Sequence, residues 1–139
     1  MPGTDNDHAT RARRETAGES GSPFGPPLND DVVFEASVLR RPLRGKEQVQ
    51  TAVQAADGYY ASYASTRTTT DGPRSYTEWQ ATLPSGTRLS GVTVVTLNAA
   101  GQIATIAVHH RPLDGALEFS REMGKRTATA LGAGYFYES

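Results

Sequence analysis

Two adjacent histidines, His109 and His110, stand at the end of an apolar run and directly before an Arg-Pro pair. Imidazole is the side chain whose ordinary pKa lies nearest to neutral pH, so the pair provides the first candidates for acid–base catalysis or metal binding. The only other histidine in the sequence is His8. Which chemistry the pair can perform depends on the direction in which each side chain points.

The pair ends a predicted β-strand, residues 102–110 (QIATIAVHH). Neighbouring side chains on a strand point to opposite faces of the sheet. By this parity His110 shares the apolar face of Ile106 and Val108, and His109 faces the other side. Two adjacent histidines therefore do not make a simple metal site, and without cysteine or clustered acids we predict no bound metal.

Length and composition exclude several classes of protein. The 139 residues suffice for one domain with one core. The net charge of −1 gives no long-range attraction to nucleic acid or to an anionic membrane, and no long apolar window or signal-peptide core is found. Cysteine is absent, which excludes disulfides and thiol nucleophiles. We expect a cytoplasmic protein that binds neither nucleic acid nor membrane.

Residues 1–28 contain almost no aliphatic side chains and end in a Gly/Pro-rich stretch. Such a segment cannot bury enough apolar surface to offset its loss of conformational entropy. We predict a flexible N-terminal segment, 1–28, with at most one short helix near residues 8–15. The folded domain is predicted to span 29–139.

Alternating apolar and polar residues predict a first strand at 30–38, and helical spacing follows from residue 46. Gly58 is suited to the C-cap of that helix. Four segments rich in Thr, Tyr, Val and Trp then read as strands, the last two joined by the loop NAAG (98–101). This order predicts an α+β protein with a strongly curved, mostly antiparallel sheet rather than a doubly wound one.

A terminal helix is predicted after Pro112, which ends the last strand because proline cannot donate to the ladder. Asp114 can cap this helix. The inward candidates on it are Leu117, Met123 and Thr127. We interpret the C-terminal YFYES, with Tyr135, Tyr137 and Glu138, as a tail rather than as a lid.

Three stretches carry a family resemblance: LNDDVVFEASVLRRPLRGKEQV, LSGVTVVTLNAAGQIATIAV and HHRPLDGALEFSREMGKR. Together they resemble the nuclear transport factor 2-like superfamily, and more narrowly its SnoaL-like branch, over about residues 28–130. The resemblance implies a cone-shaped sheet wrapped by helices around an apolar pocket, often in a dimer. Members include polyketide cyclases, ketosteroid isomerases, dehydratases, epoxide hydrolases and non-catalytic binding modules, so fold alone does not define function.

The chain departs from this family at its catalytic positions. The general-base aspartate of ketosteroid isomerases would fall at Ala36 and the acid of their oxyanion site at Thr93. The His and Asp of SnoaL-type cyclases would fall at Ile106 and Val108. None of the family's acids carries over, so steroid isomerisation of the usual kind is not expected. The polar N-terminal segment also stands where the family has the helices that close the cone. Three alternatives remain: one short helix closes the cone, the pocket is more open than usual, or a partner subunit covers it.

The inner face of the predicted sheet supplies the candidate site, because Glu35 and Glu78 face outward by parity. His110 is the only strong acid–base group left on that face. We assign it as the catalytic acid or base, with Thr93 holding a developing oxyanion. The predicted substrate contacts are Trp79, Tyr59, Tyr60, Tyr63, Phe34 and Ile106, where at least one of the three tyrosines is expected to reach the pocket.

The sequence therefore predicts a SnoaL-like enzyme, without metal or redox cofactor, that acts on a small and mostly apolar metabolite. Its reaction would be cyclisation, isomerisation or epoxide opening in natural-product biosynthesis. The outward positions of the last two strands are rich in Thr, Val and Ala, which favours a homodimer through the outer sheet face. Because none of the family's catalytic acids is present, a second hypothesis remains: the chain is a non-catalytic ligand-binding or interaction module of the same fold.

Overall fold

We describe the protein from a computed structural model that defines residues 24–138. The short helix considered near residues 8–15 lies outside the described residues. Within them the chain forms six strands and two helices. In chain order these are β1 Leu28–Ala36, β2 Leu43–Arg44, α1 Lys46–Tyr59, β3 Ser62–Asp71, β4 Arg74–Thr82, β5 Arg88–Leu97, β6 Ile103–Arg111 and α2 Leu113–Leu131.

The strands form one curved, unclosed sheet in the order β2-β1-β6-β5-β4-β3. Strands β3 to β6 make the predicted antiparallel meander, and β1 adds to it in parallel beside β6. The short β2, which falls in a predicted turn, pairs with β1. The α+β class and the mostly antiparallel sheet are thus confirmed.

The loop between β5 and β6 shows how the sequence sets the register of the central strands. Gly101 has φ 79°, which glycine adopts without a steric cost. The Asn98 side-chain oxygen accepts hydrogen bonds from the backbone N–H groups of Ala100 and Gln102, both at 3.0 Å. The tight turn fixes the pairing that continues to His110 opposite Gly91.

The first helix ends later than the sequence suggested. Gly58 lies inside α1, is not among the positive-φ glycines, and is followed by Tyr59 in helix. Tyr60 occupies the C-cap, where its N–H bonds to the Ala56 carbonyl. The predicted cap at Gly58 is wrong: the helix runs on to Tyr59, which is buried in the core.

The second helix begins before the predicted cap. Pro112 is the N-cap, without a side-chain hydrogen bond, and Asp114 lies within the first turn. There its carboxylate still has a favourable position near the positive end of the helix dipole. Met123 and Thr127 are buried as predicted, whereas Leu117 is only half-buried. The buried stripe of α2 is Ala116, Phe119, Ser120, Met123 and Thr127.

The folded part extends further toward the N-terminus than the predicted boundary at residue 29. Leu28 is already in β1 and is 3% exposed. The Pro27 carbonyl accepts a hydrogen bond from the Ile103 N–H at 2.8 Å, and Phe24 packs against the core. Residues 24–28 therefore belong to the packed domain rather than to a flexible segment.

The C-terminal residues 135–138 were predicted to be a tail, and this prediction is wrong. Phe136 is 7% exposed and forms an antiparallel bridge with Leu39. The Tyr135 carbonyl accepts a bond from the Arg40 N–H, and the Tyr137 N–H donates to the Ser120 hydroxyl, both at 2.8 Å. An aromatic side chain with so much apolar surface is drawn into the core even at a chain end.

None of the helices within residues 24–138 is both long and apolar enough to cross a membrane.

Candidate functional site

A cavity lies between the two helices and one face of the sheet, which we call the inner face. The cavity has a volume of about 80 Å3. About 10–15 Å3 suffices for one water, so several waters or a small ligand can occupy it. Most of the wall is aliphatic or aromatic. The aromatic members are Phe24, Phe34, Tyr60, Tyr63, Trp79, Phe119 and Phe136.

Trp79 is placed by a glycine on the neighbouring strand. Gly91 lies opposite Trp79 in the β4–β5 ladder. A Cβ at Gly91 would collide with the backbone carbonyl oxygen of His109 and would stand 2.6 Å from the indole Cζ2, so a larger residue does not fit beside the ring. His110 lies on the other side of Gly91 in the β5–β6 ladder. Its ring is nearly perpendicular to the indole, and the two ring centres are 5.5 Å apart. The glycine thus creates the space in which Trp79 and His110 face each other.

The hydroxyl of Thr93 is held in place by a hydrogen bond that it accepts. The Trp79 Nε1–H donates to the Thr93 Oγ1 at 3.0 Å, and both residues are buried. A hydroxyl has one hydrogen to donate besides its acceptor positions. Because the indole occupies an acceptor position, the threonine hydrogen remains for another oxygen in the cavity. Thr93 lines the cavity as predicted.

His110 reaches the inner face through its position on β6. Its backbone N–H donates to the Ser37 hydroxyl at 3.0 Å, which ties this point of β6 to the end of β1. The ring lines the cavity between Trp79 and Phe119, whose ring centre lies 5.8 Å away. Its Nδ1 atom is buried and has no hydrogen-bond partner among the described residues. His109 is exposed, so the predicted parity of the two histidines is confirmed.

Burial lowers the pKa of His110 from 6.5 to about 4, with a further lowering by the adjacent His109. The nearby backbone carbonyl of Val108 favours a protonated ring and acts in the opposite direction, although it makes no hydrogen bond of acceptable geometry with Nδ1. The sequence predicted a pKa near neutrality, and this prediction is wrong because the apolar cavity disfavours the charged ring. At neutral pH His110 is therefore uncharged and able to accept a proton.

Two of the three candidate tyrosines line the cavity. The Tyr60 ring stacks on Phe119 at 5.3 Å, and the Tyr63 ring stacks on Trp79 at 5.5 Å. Tyr59 lies outside the cavity lining and packs between Phe119 and the Arg126 guanidinium, which sits 4.5 Å from its ring centre. Burial raises the pKa of the Tyr59 phenol. Tyr59 was expected at the cavity and is not found in its wall, because its neighbour Tyr60 takes the cavity side at the helix end.

Phe34 lines the cavity as predicted, but Ile106 does not. Ile106 is fully buried in the core. Its predicted direction fits this burial, but the side chain does not reach the cavity wall. Val108, two residues further along β6, takes the wall position instead.

The sequence pattern did not identify several lining residues, four of which carry aromatic or charged side chains. Phe24 and Phe136 come from segments interpreted as flexible, and Phe119 belongs to α2. Asp57 is the fourth, half-buried on α1. A signal for it was present, since residues 49, 53 and 57 follow one another at the helical spacing of four and so share a face.

A second depression borders His110 on its other side. Its lining includes Ser37, Ala116 and the exposed side chains Leu113 and Tyr137. His110 therefore lines both this depression and the main cavity. No group of three His, Asp or Glu side chains suited to a metal ion is found among residues 24–138.

Solved structures of similar fold exist in several bacteria. A steroid delta-isomerase from Pseudomonas aeruginosa is 26% identical, with a TM-score of 0.73 over 91% of this chain and 89% of that chain. A protein with a cystatin-like fold from Silicibacter pomeroyi is 22% identical, with a TM-score of 0.74 over 87% and 86%. A SnoaL-like family protein from Agrobacterium tumefaciens is 17% identical, with a TM-score of 0.51 over 74% and 84%.

No known family and no curated protein matches the sequence itself. The structural likenesses confirm the predicted fold, with ketosteroid isomerase-like and SnoaL-like proteins as neighbours. At these identities the likeness extends to the fold and leaves the reaction to be argued from the residues of the cavity.

Proposed function

We propose that this chain, which has the nuclear transport factor 2-like fold, is a cofactor-independent enzyme acting on a small, mostly apolar metabolite by proton transfer. One observation carries the proposal: the buried Nδ1 of His110 has no partner among the described residues, at the edge of an apolar cavity. A buried polar atom without a partner costs about 1–3 kcal/mol. A ligand that supplies the missing hydrogen bond recovers that cost at one defined point of the wall.

In this proposal the neutral ring of His110 is the general base. It accepts a proton from a substrate carbon, from a hydroxyl or from a water that attacks an epoxide. The Thr93 hydroxyl, held by Trp79, donates to the oxygen on which negative charge develops. A negative charge in the same cavity raises the proton affinity of the imidazole, so the base strengthens as the reaction proceeds.

The reaction classes that fit are cyclisation, isomerisation and epoxide opening. Each needs a positioned base and a hydrogen-bond donor at a developing oxyanion, and none needs a redox step. Tyr60 and Tyr63 are the further hydroxyl-bearing side chains of the wall. A place in natural-product biosynthesis and a cytoplasmic location remain part of the proposal.

Replacing His110 tests this function. The assay uses the molecule that mass spectrometry of the native protein finds bound, and measures its turnover and its binding. For H110A and H110N we expect turnover to fall by about 10²–10⁴-fold, the usual contribution of a positioned base, while ligand affinity changes by a few-fold. The matched control is H109A, because His109 is exposed on the opposite face of the same strand. Turnover by H110A equal to that of the unmodified protein would remove His110 from the mechanism.

A non-catalytic binding module is the second candidate, and a specific observation favours it. A base with a pKa of about 4 is weak, and Ala36, Ile106 and Val108 stand where related enzymes carry catalytic groups. In that case the bound molecule leaves the protein chemically unchanged. The H110N variant then alters affinity alone.

We also propose a homodimer through the outer face of β5 and β6. Val92 and Val94 on β5 and Ala107 on β6 are half-buried in the single chain and carry no charge. V94E would place a charge in the centre of that face. We expect light scattering to give twice the chain mass for the unmodified protein and a single chain mass for V94E; a monomeric unmodified protein at micromolar concentration would contradict the dimer.

A further inference from the structure

The second depression contains both of the exposed large apolar side chains found among residues 24–138. These are Leu113, which is 76% exposed, and Tyr137, which is 39% exposed. Single exposed apolar side chains are normal on a protein surface, whereas a concave surface that gathers them is typical of a binding site. The depression is therefore a candidate site for an apolar group.

The lining of the depression is uncharged at neutral pH. The described residues that form it include no lysine, arginine, aspartate or glutamate, and burial lowers the pKa of His110 so that its ring is neutral. Leu113 and Leu117 are four residues apart on α2, so their side chains lie on one face of the helix. An ion finds no opposite charge in this lining, whereas an apolar chain would remove the surface of the exposed leucine from water.

The depression and the main cavity are neighbours. Val38 and His110 line both spaces. The depression has a volume of about 440 Å3, against about 80 Å3 for the cavity. Pockets for small organic ligands usually measure about 300–1,000 Å3, so the cavity alone is smaller than usual and the two spaces together fall within that range.

We propose that the depression is a second subsite, which binds an uncharged apolar chain of the same molecule whose smaller end occupies the cavity. The inference rests on the proposed function, because it names the substrate class of that site: an elongated, uncharged molecule with its polar group in the middle. The unpartnered Nδ1 of His110 meets this polar group where the two spaces adjoin. The chain beside Leu113 then determines which atom of the molecule lies next to the ring.

A series of secondary alcohols tests the second subsite. Pentan-3-ol, heptan-3-ol and nonan-3-ol share the hydroxyl group and one ethyl branch, and the other chain grows by two carbons at each step. Trp79 is the only tryptophan of the chain and lines the cavity, so its fluorescence reports occupancy. We expect affinity to rise by roughly tenfold at each step, because each further methylene leaves water.

L113A separates the depression from the cavity. Leu113 is exposed at the first position of α2 and lines the depression but not the cavity, so its loss removes contact with the long chain alone. We expect L113A to weaken nonan-3-ol by about fivefold and to leave pentan-3-ol unchanged. The matched control is L131A, the same substitution at the last position of α2 and outside both linings. The control should bind all three alcohols as the unmodified protein does.

Equal affinity for pentan-3-ol and nonan-3-ol in the unmodified protein overturns the inference. So does an L113A variant that binds nonan-3-ol as tightly as L131A does. If light scattering shows that L113A separates an assembly into single chains, the depression is a contact between copies and the subsite is likewise overturned. The alcohols measure binding and undergo no reaction, whereas the proposed function is tested by turnover in His110 variants, so the two proposals can fail independently.

Discussion

The floor and the roof of the cavity are built in different ways. The floor consists of inner-face residues of β4, β5 and β6, where continuous ladder hydrogen bonds hold Trp79, Thr93 and His110 in register. The roof includes Phe24 and Phe136, which come from the two ends of the described chain. Phe136 is held by one bridge to Leu39 and by a few backbone hydrogen bonds of its neighbours.

The residues that can react with a ligand are therefore different from the residues that enclose it. The polar groups that can act on a ligand, Thr93 and His110, are on strands whose geometry many neighbours determine. The roof is apolar, and its position depends on the burial of single aromatic side chains. Changes in the floor should therefore alter recognition and reactivity, whereas changes in the roof should alter stability and the exclusion of water.

Removing the Phe136 ring should produce the largest loss of stability. F136A deletes a buried aromatic side chain from the cavity wall, and such deletions lower the free energy of unfolding by about 3–5 kcal/mol. Y137A is the matched control, because Tyr137 is 39% exposed and its backbone bond to Ser120 survives the change. We expect less than about 0.5 kcal/mol for Y137A. Urea denaturation measures both values, and equal effects would show that Phe136 does not anchor the roof.

The sequence predicted the floor well because alternation along a paired strand leaves only two directions for each side chain. The inward positions of Trp79, Thr93 and His110 followed from parity, and the NAAG loop identified the hairpin that joins the last two strands. The roof could not be predicted in this way. Nothing in the local pattern of Phe136 indicates what it contacts, since its bridge partner Leu39 is remote in sequence. The same is true of its neighbour Tyr137, whose N–H donates to Ser120 on α2.

The other wrong predictions have a different cause. Parity fixes the face of a residue but not its depth, so Ile106 was expected in the wall and is instead fully buried in the core. The pKa of His110 also depends on the surrounding wall, because desolvation is a property of the assembled cavity. The distinction between Tyr59 and Tyr60 required the observed end of α1, two residues beyond the predicted one.

Acidification should lower the free energy of unfolding, because it protonates His110 in the floor of the cavity. Its pKa is about 4 in the folded chain against an ordinary value of 6.5, so the unfolded state takes up the proton first as pH falls. The contribution of the neutral ring is fully present above pH 6.5 and is lost as pH falls to 4. One proton changes the free energy of unfolding by about 1.4 kcal/mol per pH unit, which gives a loss of about 3 kcal/mol over this window.

Urea denaturation at several pH values between 7 and 4 measures this loss. H110N should show a smaller slope than the unmodified protein, because asparagine does not titrate. H109N should keep most of the slope, since His109 is exposed and burial, rather than His109, is the main cause of the lowered pKa of His110. Carboxyl groups contribute equally to all three proteins, so the difference between slopes isolates His110. Identical slopes for H110N and the unmodified protein would contradict the buried neutral imidazole.

The smallest expected effect concerns the end of α1, which carries Asp57 and Tyr60 to the cavity. Gly58 is exposed within the helix, has no positive φ, and a Cβ there would meet nothing within 4 Å. G58A should therefore stabilise the protein by about 0.5–1 kcal/mol, because alanine loses less conformational freedom in a helix than glycine does. G101A is the matched control, since Gly101 has φ 79° in the hairpin loop and alanine is strained there. Thermal unfolding should shift upward for G58A and downward for G101A. A destabilised G58A would mean that Gly58 adopts the left-handed conformation of a helix C-cap, and that Tyr60 and Asp57 leave the helix at a different point from the one that lines this cavity.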